Sequence, residues 1–314
     1  MTTKLQNHSI EIYAHRGGAG LMPETTLAAY ENVLQLGVDV LDMDVGVTQD
    51  NVVVAYHDRA LNHDYTRYQD GRPLPHHPLL IKDFTFEELQ QFDVGILDKK
   101  SRYGKNFPDQ KAVPKQTIPS LEQVLDYGLQ RNPAIRFQIE IKTDPRYPNT
   151  TISPEKFSEL VAAIIDQKNL YSHIEVHSFD WRNLLALQKI DNRICTSFIT
   201  SQQENRQHFW SSPWTYSKWF AGYKIRQYEN SWPRLIAALK GKIWCPDFKD
   251  VTTKNVTEAH SYGLRIVPWT VDTNEAMDRM INCQVDGIIT NRPDRLKEKL
   301  LGHPPVKAEG YAHN

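Results

Sequence analysis

Asp42 and Asp44 stand two residues apart in the run 38–45, VDVLDMDV. On a strand, that spacing points both carboxylates to one face. Burying two unpaired carboxylates is costly, and a divalent cation would remove the cost. One acid in a salt bridge and the other at a solvated rim would explain the pair equally well. Glu140 and Lys142 repeat the spacing in Ile139-Glu140-Ile141-Lys142. A solvent-facing antiparallel strand could show this alternation. A strand covered by helices instead needs an apolar outer face, which turns both charges inward. The acid then suits a cation and the ammonium an anion.

His15 ends the apolar run 11–15 and precedes Arg16, Gly17 and Gly18. The glycines allow close backbone approach to a ligand, and Arg16 suits bidentate contact with phosphate. His57 and Asp58 close a second apolar run, 52–57. The chain has 12 histidines, so bystanders such as His76, His77 and His303 are expected. Two histidines at strand ends beside three acids are suited to general acid–base chemistry.

Something must bring these residues together. Short β-branched runs alternate with helical patterns, which signals a parallel sheet with crossover helices. Strands are expected at 11–15, 38–45, 135–142, 173–179, 194–199, 242–246, 264–271 and 286–290. A helix is expected over 26–36, with Leu27, Tyr30 and Leu34 on one face and Gly37 as its stop. Ser120 to Gln123 and Asp272 to Glu275 read as capping boxes. Ser153-Pro154 reads as an N-cap followed by N1 proline. Eight strands in 314 residues suit one (β/α)₈ TIM barrel, which needs about 250 residues. Its interior would open at the carboxyl ends of the strands, where Asp44, Glu140 and His15 fall.

The run 52–57 follows strand 38–45 too closely for a parallel crossover. The turn-like TQDN at 48–51 therefore makes 42–57 an antiparallel hairpin, pairing residue 44 with 56 or 57. That brings His57 beside Asp44. Residues 59–118 lack a repeating pattern and read as an insertion over the barrel mouth, with one short helix starting at Thr85. The stretch 201–233 carries Trp210, Trp214, Trp219 and Trp232, and reads as an aromatic excursion packed on the barrel or as a membrane-facing lid. The domain expected is a single barrel over 1–302, with a loose tail at 303–314.

Net charge is −1, which gives no sign of a nucleic-acid coat or a polybasic anchor. No apolar run is long enough to span a bilayer. The start, MTTKLQNHSI, lacks a signal-peptide core, and three scattered cysteines suit a reducing compartment, so a cytoplasmic location is expected. Cys195 and Cys245 read as core residues of strands. No phosphate loop GxxxxGK[ST], no GxSxG elbow and no CxxC or HExxH zinc pattern is present.

Taken in series, His15-Arg16-Gly17, Pro23-Glu24-Thr25-Thr26, Asp42-Met43-Asp44, His57-Asp58, Glu140-Ile141-Lys142 and Thr290-Asn291-Arg292-Pro293-Asp294 resemble the glycerophosphodiester phosphodiesterases. The resemblance runs from about residue 11 to 296. It implies a barrel with an insertion after the second histidine segment. It implies His15 and His57 as the acid–base pair, and one Mg²⁺ or Ca²⁺ ion held by Asp42, Asp44 and Glu140. Arg16 and Lys142 would bind phosphate, Glu24 would contact the site, and Trp269 would pack on glycerol or the departing alcohol. The substrates implied are small glycerophosphodiesters such as glycerophosphocholine or glycerophosphoethanolamine. The family usually has Glu at position 42 and Asn at position 25. The shorter Asp42 favours flexible Ca²⁺ coordination over strictly octahedral Mg²⁺. A lipid-active phosphodiesterase, of lysophospholipase D or phospholipase C type, is the nearest alternative. A non-catalytic phosphoester-binding barrel is the other.

Overall fold

The structure is a computed structural model that describes residues 10–203 and 218–302. It begins with the β/α/β unit that the local pattern predicts. Strand β1 is Glu11–Ala14, helix α1 is Leu27–Leu36 and strand β2 is Val40–Val47. The Thr26 hydroxyl caps α1 by accepting from the Ala29 amide, and Gly37 ends it at φ 70°. The buried face of α1 is Ala29, Tyr30 and Val33, a small rotation from the expected one, and leaves Leu27 and Leu34 half-buried.

Strand β3, Val53–Ala55, folds back on β2, with Val45 opposite Ala55. The Tyr56 amide donates to the Asp44 carbonyl at 2.9 Å, so residues 44 and 56 pair as expected. The next elements are β4 (Arg67–Tyr68), α2 (Phe86–Leu89), β5 (Phe92–Asp93) and α3 (Leu121–Arg131). They are followed by β6 (Arg136–Ile141), α4 (Pro154–Gln167), β7 (Ile174–Ser178), α5 (Trp181–Ile190) and β8 (Cys195–Thr200). The chain finishes with α6 (Trp232–Ala238), β9 (Ile243–Pro246), α7 (Thr253–Ser261), β10 (Arg265–Ile266), α8 (Asn274–Asn282), β11 (Gly287–Thr290) and α9 (Pro293–Gly302).

Eight of these strands lie in the order β10-β9-β8-β7-β6-β2-β1-β11, all parallel. Three backbone bonds close β11 onto β10 and its extension: Asp286 N to Ile266 O, Ile289 N to Pro268 O and Val271 N to Ile289 O. The result is a (β/α)₈ barrel. The seventh barrel strand is much shorter than the expected 264–271. Pro268 has no amide hydrogen, so the regular ladder stops there although its neighbours still bond across. The expected capping box at Asp272 is also wrong by one residue. Thr273 caps α8, and Asp272 instead accepts from the Asn291 amide.

Alternating strand residues fill the barrel in layers. Tyr13, Val40, Ile199, Ile243, Cys245, Val267 and Ile289 form an apolar plug. The outward residues, such as Leu41, Met43, Ile139 and Val176, join the helices in the main core. Residues 59–118 carry a satellite core, where Leu61, Tyr65, Leu89 and Phe92 pack with Val54 and Ala19. Their small β4–β5 hairpin was not foreseen in the sequence. Thr85 and Glu88 form the capping box of α2. Trp232 and Phe220 pack against Trp181, with ring centroids 5.9 and 4.8 Å away. Trp210 and Trp214, and the expected tail at 303–314, lie outside the described residues. Among the described residues, no helix is long and apolar enough to cross a membrane.

Candidate active site

The turn after β1 sets the first part of the site. Arg16, Gly17 and Gly18 take φ of 52°, 75° and 75° in succession. A Cβ on Gly17 would lie 2.9 Å from the Ala29 Cβ, and one on Gly18 would lie 2.9 Å from Val33. The two glycines therefore let the turn sit directly on α1. Arg16 is held in the left-handed region at a cost of about 1 kcal/mol. The turn leaves His15 at the barrel mouth, with Nδ1 2.7 Å from Asn291 Oδ1. Asn291 Nδ2 donates to Asp272, which makes its Oδ1 the acceptor. His15 therefore carries its proton on Nδ1 and presents a bare Nε2. Burial, then the Arg16 charge, pushes the His15 imidazolium below its ordinary pKa, against Asp42 and Asp44.

Asp44 is the centre of the charge network. Its carboxylate lies 2.9 Å from Lys142 Nζ and 3.0 Å from Arg16 Nε. Lys142 also lies 2.7 Å from Glu140, which is the in-register neighbour of Asp44 on β6. Burial alone would raise the Asp44 carboxyl, but Lys142, His57 and Arg16 hold it well below the usual carboxylate range. Glu140 moves the other way: burial, with Asp44 adding, outweighs Lys142.

His57 follows β3, and its Nδ1 lies 2.8 Å from Asp58. Burial would raise the Asp58 carboxyl; His57, with a bond from Asn62, instead holds it well below its ordinary value. His15, Arg16, His57, Glu140, Lys142 and Trp269 all line one cavity of about 310 Å³. Asp42 and Asp44 are not on its wall but buried behind it, each 2% exposed, with Asp44 reached through Arg16 and Lys142 and Asp42 beside His177. Glu24 is not on the cavity wall. It is buried behind Arg16, whose Nη1 lies 3.2 Å from it, and so supports Arg16 instead of facing the ligand.

Three carboxylates are an all-oxygen set suited to Mg²⁺ or Ca²⁺. Asp42 Oδ1 and Asp44 Oδ2 are buried without an aligned hydrogen bond, although His177 and Arg16 lie near them. Those orphaned oxygens fit a bound cation. As the side chains lie, however, no three acidic, His or Cys groups among the described residues converge closely enough to hold one. The Lys142 ammonium bridges Asp44 and Glu140 instead.

Residues 15–295 match the pattern of the Glycerophosphoryl diester phosphodiesterase family. The chain belongs to this family. It is a phosphoric diester hydrolase. A glycerophosphodiester phosphodiesterase of Caldanaerobacter subterraneus is 28% identical over 286 residues, covering 91% of this chain and 95% of its own. One from Bacillus subtilis is 26% identical over 299 residues, covering 92% of this chain and 86% of its own. A crystal structure from Silicibacter pomeroyi, named provisionally as such a phosphodiesterase, has a TM-score of 0.83 at 30% identity and covers 94% of both chains. An Oleispira antarctica phosphodiesterase, determined with the product sn-glycerol-3-phosphate, shares the fold at TM-score 0.67 and 18% identity, covering 93% of this chain and 97% of that one.

Two residues of this phosphodiesterase escaped the sequence reading. His177 on β7 is buried on the cavity wall, with Nε2 3.3 Å from Asp42. Burial lowers its pKa, but Asp42 and Glu140 outweigh burial and raise it. A signal existed: Glu175 and His177 are two apart on a strand, as Asp42 and Asp44 are. Tyr103 left none. It reaches out of the insertion to accept from Arg16 Nη1 at 2.9 Å and to donate to Glu24.

Proposed function

We propose that this chain cleaves glycerophosphodiesters to glycerol 3-phosphate and an alcohol, by acid–base catalysis between His15 and His57. The supporting observation is that both imidazoles line the cavity that holds Lys142 and Arg16, above the Asp44–Glu140 pair. The glycerol 3-phosphate bound to the Oleispira neighbour supports the same product here.

A divalent cation, Mg²⁺ or Ca²⁺, held by Asp44 and Glu140 with Asp42 nearby, would supply Lewis-acid charge at the phosphate. Lys142 would move off these carboxylates and take up a phosphate oxygen. Arg16, braced by Glu24 and Tyr103, neutralises charge that builds in the transition state. His15 presents Nε2 as a lone pair, because Asn291 fixes its proton on Nδ1. It is the base that removes the proton from the glycerol 2-hydroxyl, whose oxygen attacks phosphorus. His57 donates Nδ1–H to Asp58, which orients its ring, and it delivers a proton to the departing alkoxide. The cyclic phosphate is then opened by water with the roles reversed. Trp269 packs against the organic part of the substrate.

His15→Ala and His57→Ala are each expected to lower kcat by about 10² to 10⁴. Release of glycerol 3-phosphate, followed with chelator and then with Mg²⁺ or Ca²⁺ restored, tests both histidines and the cation. Two near-normal histidine variants would remove the mechanism, and indifference to chelator would remove the cation.

A further inference from the structure

We propose that Arg59 and Arg146 form a second anion subsite at the cavity mouth. The diesters preferred would then carry a carboxylate or a phosphate on the alcohol. This rests on the phosphodiesterase reading and assigns its head-group class. Both arginines line the cavity that holds His57 and Lys142, and each follows one of those residues within a short loop.

The two guanidiniums are held from behind. Asp144, whose side chain is 6% exposed, takes Arg146 Nε at 2.9 Å and Nη2 at 2.6 Å, and lies 3.4 Å from Arg59 Nη1. The same Arg59 nitrogen donates to Thr150 at 2.9 Å. The Tyr147 ring lies 5.3 Å from the Arg59 guanidinium and 5.4 Å from that of Arg146, and the Trp219 ring lies 5.5 Å from Arg146. These contacts fix both side chains before any ligand arrives, which lowers the entropy lost on binding.

The charge count is unbalanced. Two guanidiniums share one carboxylate, so one positive charge remains. Deeper in the site carboxylates are in excess, with Asp44, Glu140 and Glu24 around Lys142 and Arg16, so the positive surplus is local to the Arg59–Arg146 pair. Asp58, also on the wall, is bound to His57 and Asn62. Arg59 Nε and Nη2, and Arg146 Nη1, donate to no acceptor among the described residues. The Nε–Nη2 fork left open on Arg59 matches the paired oxygens of a carboxylate or phosphate, and Arg146 Nη1 adds a single donor beside it. Phe179 and Trp269, which meet edge-on at 5.1 Å, also line the cavity. A trimethylammonium head group would find the aromatic rings but also the surplus positive charge.

The test is kcat/KM on four diesters whose alcohols are glycerol, choline, glycerate and glycerol phosphate. The expected order places both anionic substrates about tenfold above the neutral one, the scale of a half-exposed charge-assisted contact, with choline lowest. Comparison of glycerate with glycerol phosphate tells which anion the forks fit. Arg59→Gln with Arg146→Gln is expected to bring the four values within about twofold of one another. A double variant that fails to fold leaves the two single variants, each expected to lose about threefold of the preference. A flat wild-type order with glycerophosphoglycerol cleaved overturns the subsite alone, as does a preference that survives the variants. Failure to cleave any of the four overturns the hydrolase reading. Calorimetric affinities for the glycerate and glycerol diesters then still decide the subsite.

Discussion

The two ends of the barrel hold similar side chains and treat them differently. At the amino end, Glu11, Tyr13, Arg136, Glu175 and Arg265 form a closed network. Glu175 accepts from Arg136 at 2.9 Å, Arg265 at 2.8 Å and Tyr13 at 2.9 Å, while Glu11 pairs with both arginines. Two acids face two bases, and none of the five has a buried side-chain atom lacking a hydrogen bond. At the carboxyl end, Asp42 Oδ1, Asp44 Oδ2 and both His177 nitrogens are buried without one. The apolar plug of Val40, Ile243 and Ile289 lies between. Charges that satisfy one another hold a fold together, whereas charges left unsatisfied await a ligand.

The sharpest way to break this comparison is at its upper end. Asp44→Asn is expected to lower kcat/KM by roughly 10² to 10³, the scale of losing one electrostatic group in a dry site. Chemical denaturation should show only a modest loss of stability, because Lys142 keeps Glu140 and Arg16 keeps Glu24 as partners. A large loss of stability would show that Asp44 serves the fold as Glu175 does.

The lower end should respond in the opposite way. Glu175→Gln leaves two guanidiniums without their shared carboxylate, at a cost of about 3 kcal/mol. Activity per folded molecule should not change, since the plug separates Glu175 from the cavity. Denaturant midpoints and active-site titration together check this, and a fall in kcat would deny that separation.

The smallest effect lies at the closing seam. His260 Nε2 meets Asp286 Oδ2 at 2.9 Å, and this bond raises the imidazole pKa despite burial. A group whose pKa is higher folded than unfolded stabilises the fold fully below its unfolded value, about 6.5, and loses that contribution as pH rises through the folded value. Stability should therefore fall slightly on going from pH 6 to above the raised pKa. Thermal melts of wild type and His260→Gln across this window should differ in slope, and parallel curves would assign the drift to another group.

The residues of the site were more legible than the geometry that joins them. Asp42, Asp44, Glu140 and Lys142 announce themselves through period-two alternation, which a strand converts directly into a shared face. The hairpin register was legible because four turn residues allow only one kind of return. Tyr103 was not, since it meets Arg16 across 87 residues of chain with no periodicity between them. The Lys142 bridge was also hidden. Sequence spacing tells which side chains share a face, but not which charge lies between which. The seventh strand was overextended because apolar alternation continues through Pro268, where the ladder loses its donor.

The β2–β3 hairpin has a consequence for how this protein can change over evolutionary time. The bond from Tyr56 to Asp44 sets the next residue, His57, at the cavity edge, so the link at 48–51 acts as a spacer of fixed count. Gaining or losing one residue there would turn His57 to the opposite side of its strand. Residues 59–118, which close on a core of their own, can be recut in length far more freely, provided that Tyr103 keeps its reach.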